Sequence, residues 1–385
     1  MSSHWVHVRR PWQAVIDSRA VGPARHYAAI IGQALRYSLP AARPRAAWAW
    51  SLLGRTGVPE GPVAAALRRL PAQPRPDLDR LLAETAARWP ELAVHSQRLP
   101  PEPPELAGLV LERLAARIVF VFGDDQLLVV LKQATGPAEA LERETAALQL
   151  AGPAGVGPLP LGRVSGAHAQ EALPGAPLRV VALTPARCRE LEWSPALAAI
   201  ARGFATLAET TATSDRPAPA CLAFVDALLE RGPLHGRLRA RLAAAARDVR
   251  GLSSSVLCHL DSSPQNLLMN GDRFTGAVDW ELAEPRGLPG VDVLNSAISF
   301  LEHGLGLVRF NDEIAVAGFR AALEGGYWEA ARAEMGQAVA AAGLPEHYTE
   351  VIEVVFWGAQ AGTLMMAPGR SAASIPALKA LEAVG

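Results

Sequence analysis

The stretch VLCHLDSSPQNLLMNGDRFTGAVDWE, residues 256–281, decides how this chain folds and where its chemistry lies. Two apolar runs in it flank Asn270-Gly271, a pair typical of the tight turn of a β-hairpin. A hairpin returns the chain to its starting end, so we expect Asn266 before it and Asp279 after it to lie close together. An amide oxygen and a carboxylate suit Mg²⁺, which fills its other octahedral positions with water and phosphate oxygens. The sequence therefore predicts a magnesium site formed by these two residues.

The candidate catalytic group is Asp261, which lies five residues before Asn266 on the loop that leads into the hairpin. There its carboxylate can accept the proton of a hydroxyl group whose oxygen attacks a terminal phosphoryl group. Cys258 and His259 are also near, but adjacent side chains diverge and no second pair of ligands is spaced to complete a zinc tetrahedron. We therefore interpret Asp261 as a catalytic base and assign no zinc site.

The pattern His259-x-Asp261-x-x-x-x-Asn266, followed after a hairpin by Asp279, resembles the kinase-like phosphotransferases. Trp280 follows Asp279 where protein kinases have Phe, and AEPRGLPGVDVLNSAISFL comes soon after. With these features the chain looks like the aminoglycoside phosphotransferase/choline kinase branch.

This resemblance implies an α+β, bilobal, protein-kinase-like fold with a small antiparallel sheet in the N-lobe and a mainly helical C-lobe. It implies ATP and Mg²⁺ as cofactors and transfer of the γ-phosphoryl group to a hydroxyl of a small molecule, of the aminoglycoside, sugar or amino-alcohol type. By the same resemblance Asp292 is the second family Asp, which braces the catalytic loop, and His259 is a structural residue.

A nucleotide-binding lobe is expected upstream, where RIVFVF (117–122) and QLLVVLK (126–132) predict a hairpin. Lys132 ends the second run, and Glu144 falls on the apolar face of the helix that follows, where a carboxylate needs a cation. Taken alone, such residues are more often a strand-end lysine and a half-exposed glutamate. The catalytic loop downstream favours a Lys132–Glu144 pair that holds nucleotide phosphates.

Two further short strands are predicted by PLGRVSG and AHAQEAL, which span residues 160–173. By the resemblance, Gln170-Glu171-Ala172-Leu173 is the crossing between the lobes. It implies that backbone groups of Glu171, Ala172 and Leu173 meet the adenine ring.

We expect three parts along the chain, with boundaries at residues 105 and 175. Residues 1–105 read as an N-terminal helical extension, with pieces such as PVAAALRRL and PDLDRLLAETAARW, and a Pro-rich linker LPPEPPEL. Residues 106–175 form the N-lobe, and residues 176–385 form a helical C-lobe that one hairpin interrupts.

Composition excludes several classes of partner for this 385-residue chain. Lys and Arg (37) nearly balance Asp and Glu (38) without a dense basic run, so neither nucleic acid nor an anionic membrane is expected as a partner. No signal peptide or membrane-spanning run is visible, and three separated cysteines form no CxxC pair. These features predict a soluble, cytoplasmic protein with a small-molecule partner, and leave the oligomeric state open.

One departure from the resemblance favours an alternative. The glycine-rich phosphate loop expected before the lysine strand is missing, because only LVLERLAARIVFVF lies between Gly108 and Gly123. A nucleotide-binding pseudokinase acting as an interaction module is therefore the alternative hypothesis. A hydrolase is disfavoured, since the chain lacks GxSxG, HExxH and GxxxxGK[ST] motifs.

The acceptor is expected to bind against the C-terminal helices. Four acidic side chains there offer possible anionic contacts for a cationic or polyhydroxylated molecule, although each is more often a solvated surface acid: Glu281, Glu284, Asp312 and Glu313.

Overall fold

The computed structural model describes the chain in segments: residues 5–8, 76–89, 106–112, 116–123, 126–180, 183–305, 313–366 and 381. The chain divides into two compact units. The first comprises residues 1–146 and 158–176, and the second comprises residues 147–157 and 177–385. The helix expected at PVAAALRRL, and the linker before Leu106, lie outside the described residues.

The first unit is built on a six-stranded sheet. Its strands are β1 (Trp5–Val8), β2 (Leu106–Glu112), β3 (Ala116–Gly123), β4 (Gln126–Ala134), β5 (Pro160–Val164) and β6 (Ala167–Glu171). The spatial order is β1-β2-β3-β4-β6-β5, and every neighbouring pair is antiparallel except β1 with β2. The predicted β3–β4 hairpin and the two strands within 160–173 are thus confirmed.

Helix α1 (Pro76–Arg88) packs on this sheet. Its Leu81 is buried in a cluster with Val119, Val121 and Leu131, which alternate along β3 and β4 and so share one face of the sheet. Ser165, in the β5–β6 turn, donates a hydrogen bond to Glu84 of the helix. The helix predicted over PDLDRLLAETAARW is therefore confirmed.

Strand β1 was not expected, because residues 1–105 read as helical pieces. Trp5–Val8 pairs in parallel with residues 108–111 at the edge of the sheet. The segment WVHV is rich in aromatic and β-branched residues, which favour a strand, but four residues are too few for a clear alternating signal.

Helix α2 (Glu139–Ala151) follows β4, and its last turn belongs to the second unit.

The second unit is mainly helical. Its helices are α3 (Pro195–Thr211), α4 (Cys221–Arg231), α5 (Gly236–Arg250), α6 (Val291–Leu305), α7 (Glu313–Leu323), α8 (Gly326–Ala341) and α9 (Tyr348–Met366). Two 3₁₀ turns, Pro185–Glu190 and Trp280–Leu282, complete the helical part.

Short strands also occur in the helical part: β7 (Ala176–Pro177), β8 (Val256–Cys258), β9 (Leu267–Asn270), β10 (Arg273–Ala277) and β11 (Glu284–Gly287). The β9–β10 hairpin predicted around Asn270-Gly271 is confirmed, and Gly271 has φ of 61° in its turn. Strands β8 and β11 form a further antiparallel pair that the sequence did not predict, and this pair is not a hairpin, because β9 and β10 lie between them in the chain. Three residues of VLC and the Pro-containing EPRG are too short and irregular to signal strands.

Helix α3 holds the β9–β10 hairpin against the core. It begins at Pro195, and the hydroxyl of Ser194 accepts the N–H of Leu197 at 3.2 Å as an N-cap. Gly203 of this helix lies so close to Phe274 of β10 that an added Cβ would sit 2.5 Å from the ring. This close approach positions the strand that leads to Asp279.

No helix within the described segments is both long enough and apolar enough to cross a membrane.

Candidate active site

One buried carboxylate holds the segment that follows β8. Asp292, in the first turn of α6, accepts the N–H of His259 and the N–H of Leu260, each at 2.8 Å. Burial raises the pKa of its carboxyl to about 6, although these two donors act to lower it. Its backbone carbonyl also accepts the hydroxyl of Ser262 at 3.0 Å. The bracing contact that the resemblance implies for Asp292 is therefore confirmed.

His259 connects this loop to the end of β10. Its Nδ1 accepts the backbone N–H of Asp261 at 3.2 Å, and its Nε2 lies 3.0 Å from the carbonyl oxygen of Val278. A carbonyl can only accept, so Nε2 carries the proton and the ring is neutral. The ring is fully buried and packs edge-on against Trp280, with centroids 4.5 Å apart. His259 thus joins the residues before Asp261 to the residue before Asp279, which makes it structural.

The backbone is strained on both sides of this site. Leu260 has φ of 65° and Asp279 has φ of 71°, in the left-handed region that non-glycine residues rarely enter. Such conformations cost about 1–3 kcal/mol each and persist only where the surroundings enforce them. The carboxylate of Asp292 enforces the first through the N–H of Leu260. These angles place Leu260, directly before Asp261, and Asp279 itself in conformations that a regular strand or helix would not allow.

Asp261 and Asn266 are in direct contact. The amide group of Asn266 donates from Nδ2 to the Asp261 backbone carbonyl at 3.0 Å and to its Oδ2 at 2.9 Å. Because a carbonyl oxygen cannot donate, Nδ2 must face Asp261, which turns Oδ1 of Asn266 the other way. Asn266 is buried and Asp261 is half-buried, so the amide orients a carboxylate that a substrate can still reach.

The hairpin brings Asn266 beside the end of β10, as its sequence predicts. Leu267 pairs with Ala277, and the N–H of Val278 donates to the carbonyl of Asn266 at 2.9 Å. Asp279 is the next residue, and Trp280 behind it is buried with its Nε1 donating to Ala277 at 2.8 Å.

These residues fit a magnesium ion. Oδ1 of Asn266 is turned away from Asp261, and the half-buried carboxylate of Asp279 follows directly on the paired strand. In the part of the chain that the structure describes, no group of three or more His, Cys, Asp or Glu side chains could hold a metal. An ion held by the amide oxygen of Asn266 and the carboxylate of Asp279 would have a ligand set that Mg²⁺ accepts when phosphate oxygens and water supply the rest.

Lys132 and Glu144 form a buried ion pair in the first unit. Nζ of Lys132 donates to Oε1 of Glu144 at 2.5 Å, and the side chains are 7% and 4% exposed. Lys132 lies in β4 between Ile118 of β3 and His168 of β6, so its backbone is fixed on both sides. The interpretation of Glu144 as a half-exposed residue is thus excluded.

The three residues expected to meet adenine lie at the end of β6. Glu171 pairs with Val129 of β4, and its Oε2 accepts the N–H of Leu159 at 3.3 Å. Ala172 and Leu173 follow as half-buried residues, and the first unit ends at residue 176. The nucleotide contacts of this segment stay a prediction.

Sequence reasoning missed polar residues that support the site. Ser263 is buried in the loop between Asp261 and Asn266, and its hydroxyl has no hydrogen-bond partner within the described segments. Thr145 of α2 and His168 of β6 are hydrogen-bonded at 2.5 Å, next to the Lys132–Glu144 pair. For Ser263 the only signal was its place between Asp261 and Asn266, and serine is common in loops.

Of the four acids expected near the acceptor, Asp312 lies outside the described residues and the side chain of Glu313 is not described. Glu281 is half-buried. Glu284 is also half-buried, and its Oε1 accepts the N–H of Ala220, just before α4, at 2.5 Å. Burial raises the pKa of Glu284, so its interpretation as a freely solvated surface acid does not hold.

A sequence model of the phosphotransferase enzyme family (APH) matches residues 109–335, which is more than half of the chain. The chain belongs to this family. The matched range runs from β2 to α8 and contains the Lys132–Glu144 pair and the Asp261 loop. The α+β, kinase-like fold implied by the sequence resemblance is confirmed for this phosphotransferase family member.

Solved structures of similar proteins include three from bacteria. A choline/ethanolamine kinase family protein from Mesorhizobium loti is 19% identical, with 79% of this chain and 99% of that chain covered and a TM-score of 0.36. A macrolide 2'-phosphotransferase from Brachybacterium faecium is 22% identical, with 80% and 98% covered and a TM-score of 0.40. An aminoglycoside phosphotransferase from Streptomyces rimosus is 15% identical, with 79% and 98% covered and a TM-score of 0.37. No curated protein sequence matches the chain significantly.

Proposed function

We propose that this chain transfers the γ-phosphoryl group of ATP to a hydroxyl group of a small molecule, with Asp261 as the catalytic base. The observation that carries the proposal is the contact of Asn266 with both the carboxylate and the carbonyl of Asp261, on a loop braced by Asp292. Family membership supports phosphotransfer in general. The supply of ATP and the three unpaired cysteines favour a cytoplasmic site of action.

Asp261 acts on the acceptor. The acceptor oxygen forms a bond to the γ-phosphorus while the bond from that phosphorus to the β–γ bridging oxygen breaks. ADP leaves with the electron pair of that bond, and the hydroxyl proton passes to Asp261. The amide of Asn266 restricts the rotation of the Asp261 carboxylate. The oxygen that accepts the proton is therefore already oriented before the hydroxyl group binds.

The other residues act on the nucleotide. Lys132 would place its ammonium group beside the phosphates, and Glu144 holds that group at one position. Backbone groups of Glu171, Ala172 and Leu173 would meet the adenine ring. Asn266 and Asp279 would hold Mg²⁺, which supplies positive charge against the phosphate oxygens when it is bound.

The test is phosphate transfer from ATP to a panel of aminoglycosides, sugars, amino alcohols and apolar alcohols, with and without Mg²⁺. Asp261→Asn should lower kcat by about 10²- to 10⁴-fold, because the amide cannot take up the proton. Asp272→Asn is the matched control, since Asp272 is exposed in the hairpin turn. Its kcat should equal that of the unchanged protein, and both variants should bind ATP alike.

Two outcomes would contradict this proposal. If Asp261→Asn retained full activity, the base would be another group. If ATP bound with Mg²⁺ but no phosphate reached any acceptor, the alternative of a nucleotide-binding pseudokinase acting as an interaction module would replace it.

A further inference from the structure

A cavity of about 200 Å³ lies inside the second unit beside the catalytic loop. Its wall is formed by the start of α4, by residue Leu260, by the segment from β11 to α6, and by α9. Nothing in the roles given above to Asp261, Asn266 and Asp279 uses this space.

The cavity adjoins the proposed base. Leu260 is part of the wall and directly precedes Asp261, so their Cα atoms are about 3.8 Å apart. The carboxylate of Asp292 fixes the N–H of Leu260, which keeps this stretch of wall in one position. Asp261 is not itself part of the wall, so a molecule in the cavity would have to extend past Leu260 to bring its hydroxyl group to the carboxylate.

Most of the wall is apolar. Phe224 of α4, Leu288 and Val291 before and at the start of α6, and Phe356 and Ala359 of α9 contribute hydrocarbon surface. The volume is below the roughly 300–1,000 Å³ of most ligand pockets. The part of the acceptor that enters is thus small and mainly apolar, because it replaces water on hydrocarbon surface.

The polar part of the wall is mainly a pair of amides. Nε2 of Gln360 donates to Oδ1 of Asn295 at 3.5 Å, between α9 and α6. This leaves the NH₂ group of Asn295 and the carbonyl oxygen of Gln360 to offer one donor and one acceptor. If both amides were turned over, the pair would still offer one of each. Such a pair complements a neutral amide or carbamate group on a ligand.

The charge on the wall is low. Glu284 is the single ionisable carboxylate among the described residues that line the cavity, and no lysine or arginine is among them. One oxygen of Glu284 already accepts the N–H of Ala220. A polycation would need several carboxylates to replace the water it loses, and this wall does not supply them.

We propose that this cavity binds the acceptor of the reaction, and that the acceptor is an uncharged, mainly apolar alcohol carrying one amide-type group that Asn295 and Gln360 recognise. The inference rests on the proposed phosphotransferase function and names the substrate class of that same site. Such an acceptor differs from the aminoglycoside, sugar and amino-alcohol types that the sequence resemblance implies, because it is neither cationic nor polyhydroxylated.

The test compares two probes of equal chain length on the full protein. N-hexanoylethanolamine carries a primary hydroxyl, a short apolar chain and a neutral amide, and N-hexylethanolamine replaces the amide by a cationic amine. Kanamycin serves as the polycation. Binding is measured by calorimetry, and transfer from ATP is followed by mass spectrometry of the phosphate ester.

Two variants address the wall, each with a matched control on α8. Gln360→Leu should weaken binding of N-hexanoylethanolamine by about 3- to 10-fold through loss of one neutral hydrogen bond, and raise KM without a change in kcat. Ala359→Phe should fill the space and abolish binding. Gln337→Leu and Ala340→Phe, at exposed positions, should change neither quantity. Circular dichroism confirms that each variant is folded.

The outcomes separate the two proposals. Transfer to kanamycin or N-hexylethanolamine that requires Asp261 but ignores Gln360→Leu and Ala359→Phe would overturn the cavity assignment and leave the phosphotransferase function standing. Binding of N-hexanoylethanolamine that depends on Gln360 and Ala359, without any transfer to it, would overturn the acceptor assignment, because the bound molecule is then not a substrate. Absence of transfer to every member of the wider panel would contradict the proposed function as well.

Discussion

The two units stabilise a buried carboxylate in different ways. In the first unit, Glu144 meets the ammonium group of Lys132 at 2.5 Å. In the second, Asp292 accepts two backbone N–H groups, each at 2.8 Å. An ion pair depends on the identity of one other side chain, whereas a brace on backbone donors depends on the conformation of the loop. We therefore expect that two apolar side chains can substitute for the Lys132–Glu144 ion pair without loss of the fold. The contacts of Asp292, by contrast, fix the backbone conformation of the loop.

The largest effect is expected from breaking the ion pair. Glu144→Leu leaves the ammonium group of Lys132 buried without its counter-charge, which should lower the free energy of unfolding by about 3–5 kcal/mol. Equilibrium urea unfolding measures this difference. ATP binding should weaken in parallel, because Lys132 loses the group that holds it.

A double variant sharpens the comparison. Lys132→Met with Glu144→Leu removes both charges, so most of the lost stability should return while ATP binding stays weak. The exposed pair of Arg250 and Asp226 is the control, and Asp226→Ala should change the free energy of unfolding by at most about 1 kcal/mol. If the double variant were as unstable as Glu144→Leu, the ion pair would not be replaceable and the contrast between the units would fail.

A smaller loss is expected for Asp292→Ala. It leaves the buried N–H groups of His259 and Leu260 without acceptors, and each costs about 1–3 kcal/mol, partly relieved if Leu260 leaves its left-handed conformation. We expect a loss of about 2–4 kcal/mol in urea unfolding and a loss of activity, because the loop that carries Asp261 relaxes. No second-site substitution of one side chain should restore it, in contrast to the ion pair. If a second-site substitution restored the stability of Asp292→Ala, the role of Asp292 would depend on another side chain and not on the backbone conformation of the loop.

The sequence could predict the arrangement of the Asp261 loop because its parts are local. His259, Asp261 and Asn266 lie within eight residues, and the hairpin that joins Asn266 to Asp279 has its own turn signal in Asn270-Gly271. Lys132 and Glu144 are also close in sequence, and helical periodicity alone places Glu144 on the buried face. Short-range spacing therefore sufficed for both groups of polar residues.

The rest depends on long-range contacts that no local pattern encodes. Strands β8 and β11 pair across more than twenty residues through segments too short to show a period. The cavity is lined by residues from α4, α6 and α9, and the Asn295–Gln360 contact joins residues 65 positions apart. Neither the wall of the cavity nor the strand β1 at the sheet edge has a sequence signal, because each is produced by tertiary packing.

The smallest effect, counted per pH unit, is the contribution of Asp292 to the pH dependence of the free energy of unfolding. Its pKa rises from 3.8 to about 6 on folding, so the folded protein binds this proton more tightly than the unfolded chain does. Stability from this group is therefore full below about pH 4 and falls as pH rises toward 6, by at most about 1.4 kcal/mol per pH unit and about 3 kcal/mol in total. Asp292→Asn should remove that slope, seen as a difference between the two unfolding free energies measured from pH 4 to 7, whereas Asp272→Asn should keep it. If the free energy of unfolding had the same slope with pH in Asp292→Asn and in the unchanged protein, burial would not raise the pKa of the Asp292 carboxyl. The two backbone N–H groups would then stabilise the Asp292 carboxylate as well as Lys132 stabilises Glu144. The two units would differ only in whether other side chains can substitute for the buried charge.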